Sequence, residues 1–514
     1  MDEKKDILKY IKDSTQNSDD IIYREIDVLN ETVTIVYSEA MVSSIYISDF
    51  VIKSLKESVK DIVKIEKLED IEKTIEDKQA TVKIISKTKN KPSEKSKRSV
   101  YDIISNLEKN ISSCKVKKLD INTEDIFYYL FSGFSLIVYK DTILSLETRG
   151  IIDRPISETN TENSLKGSKD AFGENFQQNV ALIRKRIKTE KLVLKQSLVG
   201  RRSKSKVGVM YISDIAKEGL VKEIEKRIKD IDIDAILNSN YIIENIEEGP
   251  KTDFPTVINT ERPDLVSMYL LQGRVAIVIE NSPFVLVAPS FIEDYINNVD
   301  DYYQKSSNVI LTRIVRYIAF FITIVTPGLY VALITFNHEA IPAELLLSFS
   351  AQRAGVPFPA SMEAFVMILA FEILREGDYR VTNIAGSTLS VVGALILGEA
   401  AVSAGIVSPI MIIVIAITAI SGLLFNEINM TNASRNWRII FLILGSIAGI
   451  LGISVAVLFF IIKISSVTSF SKAYSYPVAP LNKTKILDDA LNRKDMSVLR
   501  NRYKNLTNNL TSRR

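Results

Sequence analysis

The chain has 514 residues, of which 46% are hydrophobic and 25% are charged, and its formal net charge at pH 7 is +3. That length is too great for one ordinary core, so we expect two or three domains. The small net charge, without a basic stripe interleaved with aromatic residues, argues against nucleic-acid binding. With one cysteine and one histidine, we expect no disulfide within the chain, no zinc site of the His/Cys type and no cofactor.

The first half of the chain is charged throughout, whereas long apolar runs dominate after residue 308. The N-terminal segment MDEKKDILKYIKD has no apolar core of the kind that a secretory signal needs, so we expect the first half to stay in the cytoplasm. We therefore predict an α/β cytoplasmic region followed by an α-helical polytopic membrane domain.

Two similar units are predicted in the cytoplasmic region. Each consists of a strand, a helix and a glycine-led hairpin, at 32–37, 44–59 and 133–146 in the first unit and at 207–211, 215–228 and 273–287 in the second. The repeated order indicates an internal duplication, and chance repetition, which is common in α/β proteins, is the alternative. We place the first subdomain at 1–120 and the second at 121–308.

Two further segments of the cytoplasmic region have distinctive charge patterns. Residues 86–99 are rich in lysine and have no apolar periodicity, which predicts a disordered insert. The helical stretch 172–194 carries Arg184, Lys185 and Arg186. This basic cluster is a candidate contact for acidic lipid headgroups or for a partner protein, and a solvated helix face is the alternative interpretation.

The second half contains four stretches that are long and apolar enough to cross the roughly 30 Å hydrocarbon core of a membrane. They are residues 317–336, 384–402, 406–425 and 439–462. The first of them holds twenty residues without a charge. We therefore predict a transmembrane domain at 309–462 with about four spans.

The segment 341–376 is apolar only in short runs. Pro357 and Pro359 interrupt any helix that enters it, so we predict two short helices around a proline break, as in a re-entrant or interfacial element. Broken helices persist at membrane depth only where protein or water satisfies the freed backbone groups, as in the lining of a pathway. Together with Pro327 in the first span, Pro357 and Pro359 are candidate gating positions.

The tail at 463–514 carries eleven basic residues against three acidic ones. By the positive-inside rule, a tail so basic belongs in the cytoplasm. Four spans plus a re-entrant element keep both termini on that side, whereas a fifth full span would place the tail outside. We therefore predict four spans and a basic cytoplasmic tail.

Acidic residues in the apolar half are candidates for an ion pathway, because a charge in hydrocarbon is unfavourable unless it faces water or a partner. Glu363, Glu372 and Glu399 are the candidates, and the first two would form carboxylate rings in an oligomer. The alternative for these two is pairing with nearby arginines, which are Arg353, Arg375 and Arg380. For Glu399 the alternative is a position near a span end that reaches the interface.

Small residues mark candidate sites of close helix packing in the same half. Gly386, Gly393 and Gly398 lack side chains, so neighbouring helices can approach their backbones closely. Glu399 directly follows the last of them, which would place its carboxyl beside a helix contact.

A series of ordered motifs runs through both halves. It comprises 154–156 (RPI), 182–187 (LIRKRI), 260–264 (TERPD), 273–277 (GRVAI), 327–330 (PGLY), 356–359 (VPFP), 374–376 (LRE) and 392–398 (VGALILG). These motifs resemble the A subunits of the GerA-type spore germinant receptors. Two departures are Lys166–Lys169 (KGSK), where the family tends to read RGPR, and Glu399, where an amide is more usual.

The resemblance implies a place and partners for the chain. The place is the spore inner membrane, in contact with membrane lipid, and the partners are a transporter-like B subunit that senses the nutrient, a lipoprotein C subunit and further copies of the chain itself. It implies an A subunit that acts as the transducer, in which nutrient binding favours one state of an assembly and opens a cation pathway made by several A subunits.

The sequence also bears on three other functions. The chain has no P-loop, nucleophile elbow or metal-ligand cluster, which argues against an enzyme. A secondary transporter would call for more than four spans, usually with an inverted repeat. The nearest alternative is a related family member that is accessory to dipicolinic acid release and senses no nutrient itself.

Overall fold

The structure is a computed structural model. It describes residues 7–28, 31–53, 55–56, 116–119, 123–150, 162, 166–248, 252–380, 398–425, 427–483, 486, 491, 502, 506–507 and 509. The predicted insert 86–99 lies outside the described residues, as do Gly386, Gly393 and most of the predicted span 384–402.

The first subdomain is built on a five-stranded antiparallel sheet with the strand order β1–β2–β4–β5–β3. Its strands are β1 Ile21–Val28, β2 Glu31–Ser38, β3 Val116–Leu119, β4 Phe134–Tyr139 and β5 Thr142–Glu147, and its helices are α1 Ile7–Ser14, α2 Ser44–Tyr46, continued by the π-helical Ile47–Ile52, and α3 Thr123–Leu130. Strand β4 is buried along its whole length. Ile137 contributes to one hydrophobic cluster, and its neighbours Leu136 and Val138 contribute to another, so this strand is covered on both faces.

The second subdomain repeats this plan with the strand order β6–β7–β9–β10–β8. Its strands are β6 Leu192–Val199, β7 Ser205–Ile212, β8 Ile258–Thr260, β9 Val275–Ile279 and β10 Val285–Ala288, and its helices are α4 Phe176–Arg186, α5 Glu218–Lys229, α6 Ser239–Ile246 and α7 Pro263–Leu271. Ile277 and Val278, adjacent on β9, again contribute to different clusters. The cluster that contains Val278 extends to residues of the apolar helices.

The equivalent strand orders confirm the predicted pair of duplicated α/β subdomains. The predicted boundary after residue 120 is wrong, because β4 and β5 belong to the first sheet. Ile35 of β2 pairs with Ile137 of β4, and Lys118 of β3 pairs with Leu144 of β5. Strand pairing between distant segments therefore places the first hairpin with the N-terminal strands.

The apolar half is helical. In chain order it contains α8 Ile292–Ile296, the 3₁₀ turn Val299–Tyr303, α9 Ser306–Thr335, the 3₁₀ turn His338–Ala340, α10 Ala343–Arg353, α11 Ala360–Arg380, α12 Pro409–Gly422 and α13 Ile428–Ser466. Among the described residues, α9 and α13 are long and apolar enough to cross a membrane, whereas α12 has 14 residues. Pro357 and Pro359 lie between α10 and α11, and both are exposed.

Helix α13 is not one continuous rod, so the predicted single span 439–462 is wrong. Gly449 has φ 60° and ψ −140°, a conformation that glycine adopts without strain. The rings of Trp437 and Phe460 are 4.9 Å apart, although an unbroken helix rising about 1.5 Å per residue would separate these residues by more than about 30 Å. The chain therefore reverses at Gly449, and the arms 428–448 and 450–466 pack against each other.

The segment after α13 returns to the second subdomain. Ser469 Oγ donates a hydrogen bond to the Thr256 carbonyl at 2.6 Å, and the Tyr474 carbonyl accepts one from the Ile292 amide at 3.0 Å. A short ladder of β11 Thr468–Ser469 and β12 Lys472–Ala473 precedes this contact. Both ends of the α13 hairpin therefore lie beside the second subdomain.

Candidate functional site

Buried ion pairs lie where the second subdomain meets the apolar helices. Asp301, in the 3₁₀ turn before α9, accepts hydrogen bonds from Arg313 Nε at 2.9 Å and from Arg316 Nη1 at 2.8 Å. Asp301 and Arg313 are each 1% exposed. Because the two arginines are three residues apart, they share one face of α9, and a single carboxylate holds both.

A second pair lies at the start of α7, where Pro263 occupies the first turn. Arg262 Nη2 donates to Asp264 Oδ2 at 2.7 Å, and the Tyr303 hydroxyl donates to the same oxygen. Burial by itself would raise the pKa of Asp264, but the hydrogen bonds from Arg262 and Tyr303 outweigh it and hold that pKa below its usual value. The pair therefore connects α7 with the 3₁₀ turn that precedes α9.

A third pair joins β9 to α8. Arg274 donates from Nη1 and Nη2 to the two carboxylate oxygens of Asp294 at 2.6 and 2.8 Å, a bidentate geometry that favours strong pairing. The guanidinium also lies over the Tyr269 ring, 4.2 Å from its centroid. We call the pairs Arg262–Asp264, Arg274–Asp294 and Arg313–Asp301 the junction ion-pair layer.

A cavity of about 100 Å³ adjoins the junction ion-pair layer. Its lining includes the three arginines of the layer and three glutamates, which are Glu162, Glu293 and Glu427. Burial raises the pKa of the Glu162 carboxyl to about 7, and the hydrogen bond from Thr260 offsets this only in part. The cavity therefore brings together groups from the second subdomain, from α9 and from the segment before α13.

Glu363 is buried inside the apolar half. Its Oε2 accepts hydrogen bonds from the Ser408 amide and hydroxyl, both at 2.9 Å, and its Oε1 accepts one from Arg353 Nε at 3.3 Å. Ser408 is the N-cap residue of α12, where a carboxylate is favoured by the helix dipole. Glu363 thus connects α10, α11 and α12. Its partner Arg353 is one of the arginines that the sequence offered as the alternative to a carboxylate ring.

Glu372 is surrounded by arginines. Its carboxylate contacts Arg375 one turn further along α11, Arg438 of α13 at 2.5 Å and Arg435 at 3.8 Å. The sequence offered pairing with Arg375 as the alternative to a carboxylate ring. It did not predict the pairing with the two arginines of α13. The structure therefore places both acids in ion pairs between helices of one subunit.

The other candidate positions of the apolar half are spread out. Glu399 is exposed, and Gly398 faces Ile412, with 3.7 Å between the Ile412 side chain and the position a Cβ would take. Pro327 is buried within α9. The structure therefore does not bring these residues together with Glu363 and Glu372 into one site.

The three residues of the basic cluster, Arg184, Lys185 and Arg186, lie in different environments. Arg184 is fully buried and pairs with Asp20, so its assignment to a lipid or partner contact is wrong. Arg186 contacts both carboxylate oxygens of Asp170, at 2.5 and 2.6 Å. Lys185 is the exposed member, and it keeps the assignment as a proposal. The helical spacing did not reveal this division, because it depends on the first subdomain packing against α4.

Comparison with known proteins gives the family. The family model described as Bacillus/Clostridium GerA spore germination protein matches residues 9–505. The chain belongs to the GerA family. Spore germination protein KA of Bacillus subtilis (strain 168) is 39% identical over 72% of this chain and 69% of the relative, and spore germination protein GerLA of Bacillus cereus is 33% identical over 73% and 76%.

A solved structure is also similar to part of this GerA-family chain. It is the crystal structure of the N-terminal domain of the A subunit of the Bacillus megaterium spore germinant receptor GerK3, which is 33% identical. The match covers 55% of this chain and 94% of that domain, with a TM-score of 0.37. The germination proteins of Bacillus subtilis and Bacillus cereus support a role in spore germination.

The junction ion-pair layer was not predicted from the GerA motifs, although two of its arginines lie within them. Arg262 belongs to the TERPD run and Arg274 to the GRVAI run. The signal that was available is the concentration of aspartates at 294, 300 and 301 directly before an apolar helix that carries Arg313. Packing in three dimensions decides which arginine pairs with which aspartate, so the sequence does not predict the pairs.

Proposed function

We propose that this GerA-family chain is the A subunit of a nutrient germinant receptor and that it converts nutrient binding by a partner subunit into ion release from the spore. The germination proteins of Bacillus subtilis and Bacillus cereus that it resembles support this role. The proposed location is the spore inner membrane, and the proposed partners are a transporter-like B subunit, a lipoprotein C subunit, membrane lipid and further copies of the chain.

The observation that carries the proposal is the junction ion-pair layer. A transducer needs a mechanical connection between the domain that receives a signal and the helices that respond to it, because a ligand shifts a two-state assembly only through contacts that differ between the states. Asp301 bonds two arginines of α9, Arg262 lies 4.0 Å from Asp300 in the turn before that helix, and Arg274 joins the start of β9 to α8. A movement of the second subdomain is thereby passed to α9.

The proposed topology has both termini in the cytoplasm. The α13 hairpin begins and ends beside the second subdomain, and the tail follows it with hydrogen bonds from Ser469 to Thr256 and between Tyr474 and Ile292. A tail that packs on the N-terminal region shares its side of the membrane. The excess of basic residues in the tail supports the cytoplasmic side.

The proposed cation pathway is made by several copies of the apolar half, and Glu363 and Glu372 lie along it. In this structure both carboxylates are held by arginines. Such pairing neutralises a carboxylate, so we assign this arrangement to the closed state. Opening then requires that Arg353 or Arg438 separate from its glutamate, which would expose negative charge to a cation.

The test is ion release from spores that lack this protein. After addition of candidate amino acids, potassium and sodium release is measured in deletion spores and in spores complemented with the intact chain, Asp301→Asn or Asp232→Asn. Asp232 pairs with Arg201 on the surface, so it is the matched control. We expect early release for one nutrient to require the protein, to be at least about tenfold slower with Asp301→Asn, and to be normal with Asp232→Asn, since solvent screens a fully exposed ion pair.

Immunoblots of spore membranes control for the amount of each variant. If early release in deletion spores is unchanged for every nutrient and only later dipicolinate release slows, the accessory function replaces the receptor function. If Asp301→Asn is present at normal amounts and releases ions normally, the junction ion-pair layer is not the coupling element.

Glu363→Gln tests the pathway. The amide keeps an oxygen for Ser408 but loses the charge that Arg353 faces, so the gate is weakened. In vesicles reconstituted with the receptor complex, we expect cation conductance to change at least about threefold, with Glu339→Gln, at an exposed position, as the control. Conductance equal to that of the intact protein would remove Glu363 from the pathway.

A further inference from the structure

The cavity beside the junction ion-pair layer has walls from three parts of the chain. Asn259 and Gln272 come from the second subdomain, Arg313 from α9 and Glu427 from the residue that precedes α13. The cavity therefore lies where the second subdomain, α9 and the start of α13 meet. Its volume of about 100 Å³ has room for a hydrated ion, since about 10–15 Å³ of such space holds one water molecule.

The charges that line the cavity are biased towards carboxylates. Each of its three arginines already has an aspartate partner, at 2.7 Å for Arg262, 2.6 Å for Arg274 and 2.9 Å for Arg313. Three glutamates line the cavity in addition to these pairs. Asp301 is shared with Arg316, and the raised pKa of Glu162 leaves that carboxyl partly protonated at neutral pH. Glu293 and Glu427 supply the remaining negative charge, and the potential inside the cavity favours a cation.

Two amide oxygen atoms in the lining have no hydrogen-bond partner among the described residues. They are Asn259 Oδ1 and Gln272 Oε1. An amide oxygen only accepts hydrogen bonds, and leaving it buried without a partner is unfavourable. These two oxygens indicate an occupant that binds to acceptors.

The arrangement favours a monovalent over a divalent ion. Calcium takes six to eight oxygen ligands, often from several carboxylates, and magnesium requires a near-octahedral set of ligands. The described residues contain no group of three or more His, Cys, Asp or Glu side chains that could hold a metal ion. A monovalent ion is bound by neutral oxygens with few carboxylates, and the cavity offers two amide oxygens beside its glutamates.

We propose that the junction cavity binds a small monovalent cation, namely sodium, potassium or ammonium, and that the bound ion stabilises the contact of the second subdomain with α9 and α13. The site is separate from the proposed cation pathway around Glu363, and it does not depend on conduction. Ion binding at the junction would bias the same coupling element that the ion pairs form.

The test uses the purified full-length chain in lipid nanodiscs. Trp437 is the single tryptophan, and its ring packs against Phe254 and Phe460 on the side of the second subdomain, so its fluorescence reports on the junction. Sodium, potassium and ammonium chloride are each titrated against choline chloride at constant ionic strength. We expect at least one small cation to change the fluorescence with saturation and to raise the unfolding temperature, because a ligand that binds the native state stabilises it. Choline should do neither.

Variants locate the site. Gln272→Met and Asn259→Leu remove an acceptor oxygen at nearly constant volume, and each should raise the half-saturating ion concentration at least about tenfold. Gln352→Met, on an exposed face of α10, is the matched control and should leave it unchanged. If one cavity variant fails to fold, the other decides. The proposal is overturned if the intact chain responds to choline as it does to the small cations, or if a folded cavity variant keeps the original half-saturation.

Discussion

Arg184→Met is expected to lower the free energy of unfolding by about 3–5 kcal/mol, because removing one partner of a buried ion pair leaves the other charge uncompensated. Arg184 Nε and Nη2 donate to the two oxygens of Asp20 at 2.9 and 2.8 Å, and both side chains are 0% exposed. Arg184 also lies over the Phe131 ring, 4.6 Å from its centroid. It belongs to the second subdomain, whereas Asp20 precedes β1 of the first, so the variant acts on the contact between them.

The measurement is thermal unfolding of the full-length chain, followed by circular dichroism and by limited proteolysis of the first subdomain. Lys185→Met makes the same change at the adjacent, exposed residue and should be close to neutral. Adding Asp20→Asn to Arg184→Met should recover part of the loss, since the buried negative charge is then removed. Equal unfolding midpoints for the Arg184 and Lys185 variants would contradict the role of this pair.

Gly328→Ala is expected to disrupt the packing of α9 against α13 and to destabilise the apolar half by about 1–3 kcal/mol or more. A Cβ at this position would lie 2.5 Å from the Phe441 carbonyl oxygen. On the other helix, a Cβ at Gly445 would lie 2.6 Å from the Gly328 carbonyl oxygen. Because each obstacle is backbone, neither helix relieves the clash by changing a rotamer, and the helices must separate.

The unfolding temperature and the fraction that remains monodisperse in detergent measure this effect. Gly355→Ala is the control, since a Cβ there meets nothing within 4 Å. We expect Gly328→Ala to unfold several degrees below both the intact chain and Gly355→Ala. An unchanged unfolding temperature would mean that α9 and α13 do not cross as closely as described.

Much of the fold was predictable because its signals are local. Alternating and continuous apolar runs located β2, β7 and the two hairpins, and the uncharged stretch at 317–336 located the apolar part of α9. The reversal at Gly449 was missed because the sequence there is uniformly apolar, so composition alone predicts a single span. Gly449 is the residue at which the chain turns, but other glycines occur in the same stretch where the chain does not turn, so glycine alone does not predict the reversal.

The candidate residues were predictable as residue types and not as partners. Glu363 and Glu372 stand out because acids are rare in apolar segments, and Arg353 and Arg375 were within reach along the chain. Arg438 was not, because it lies on another helix. Arg184 was read as part of an accessible cluster, since helical spacing does not reveal what packs against the helix.

The sequence by itself determined that this chain has a charged α/β region followed by an apolar helical half, and it indicated a repeated α/β unit. These features follow from periodicity and composition, which depend on neighbouring residues. The link to the GerA family came from the resemblance of its ordered motifs. Only the tertiary structure decided that Asp20 meets Arg184, that Asp301 holds Arg313 and Arg316, and that a cavity lined by arginines and glutamates lies beside Arg313. Such contacts join distant segments, and packing in three dimensions selects them.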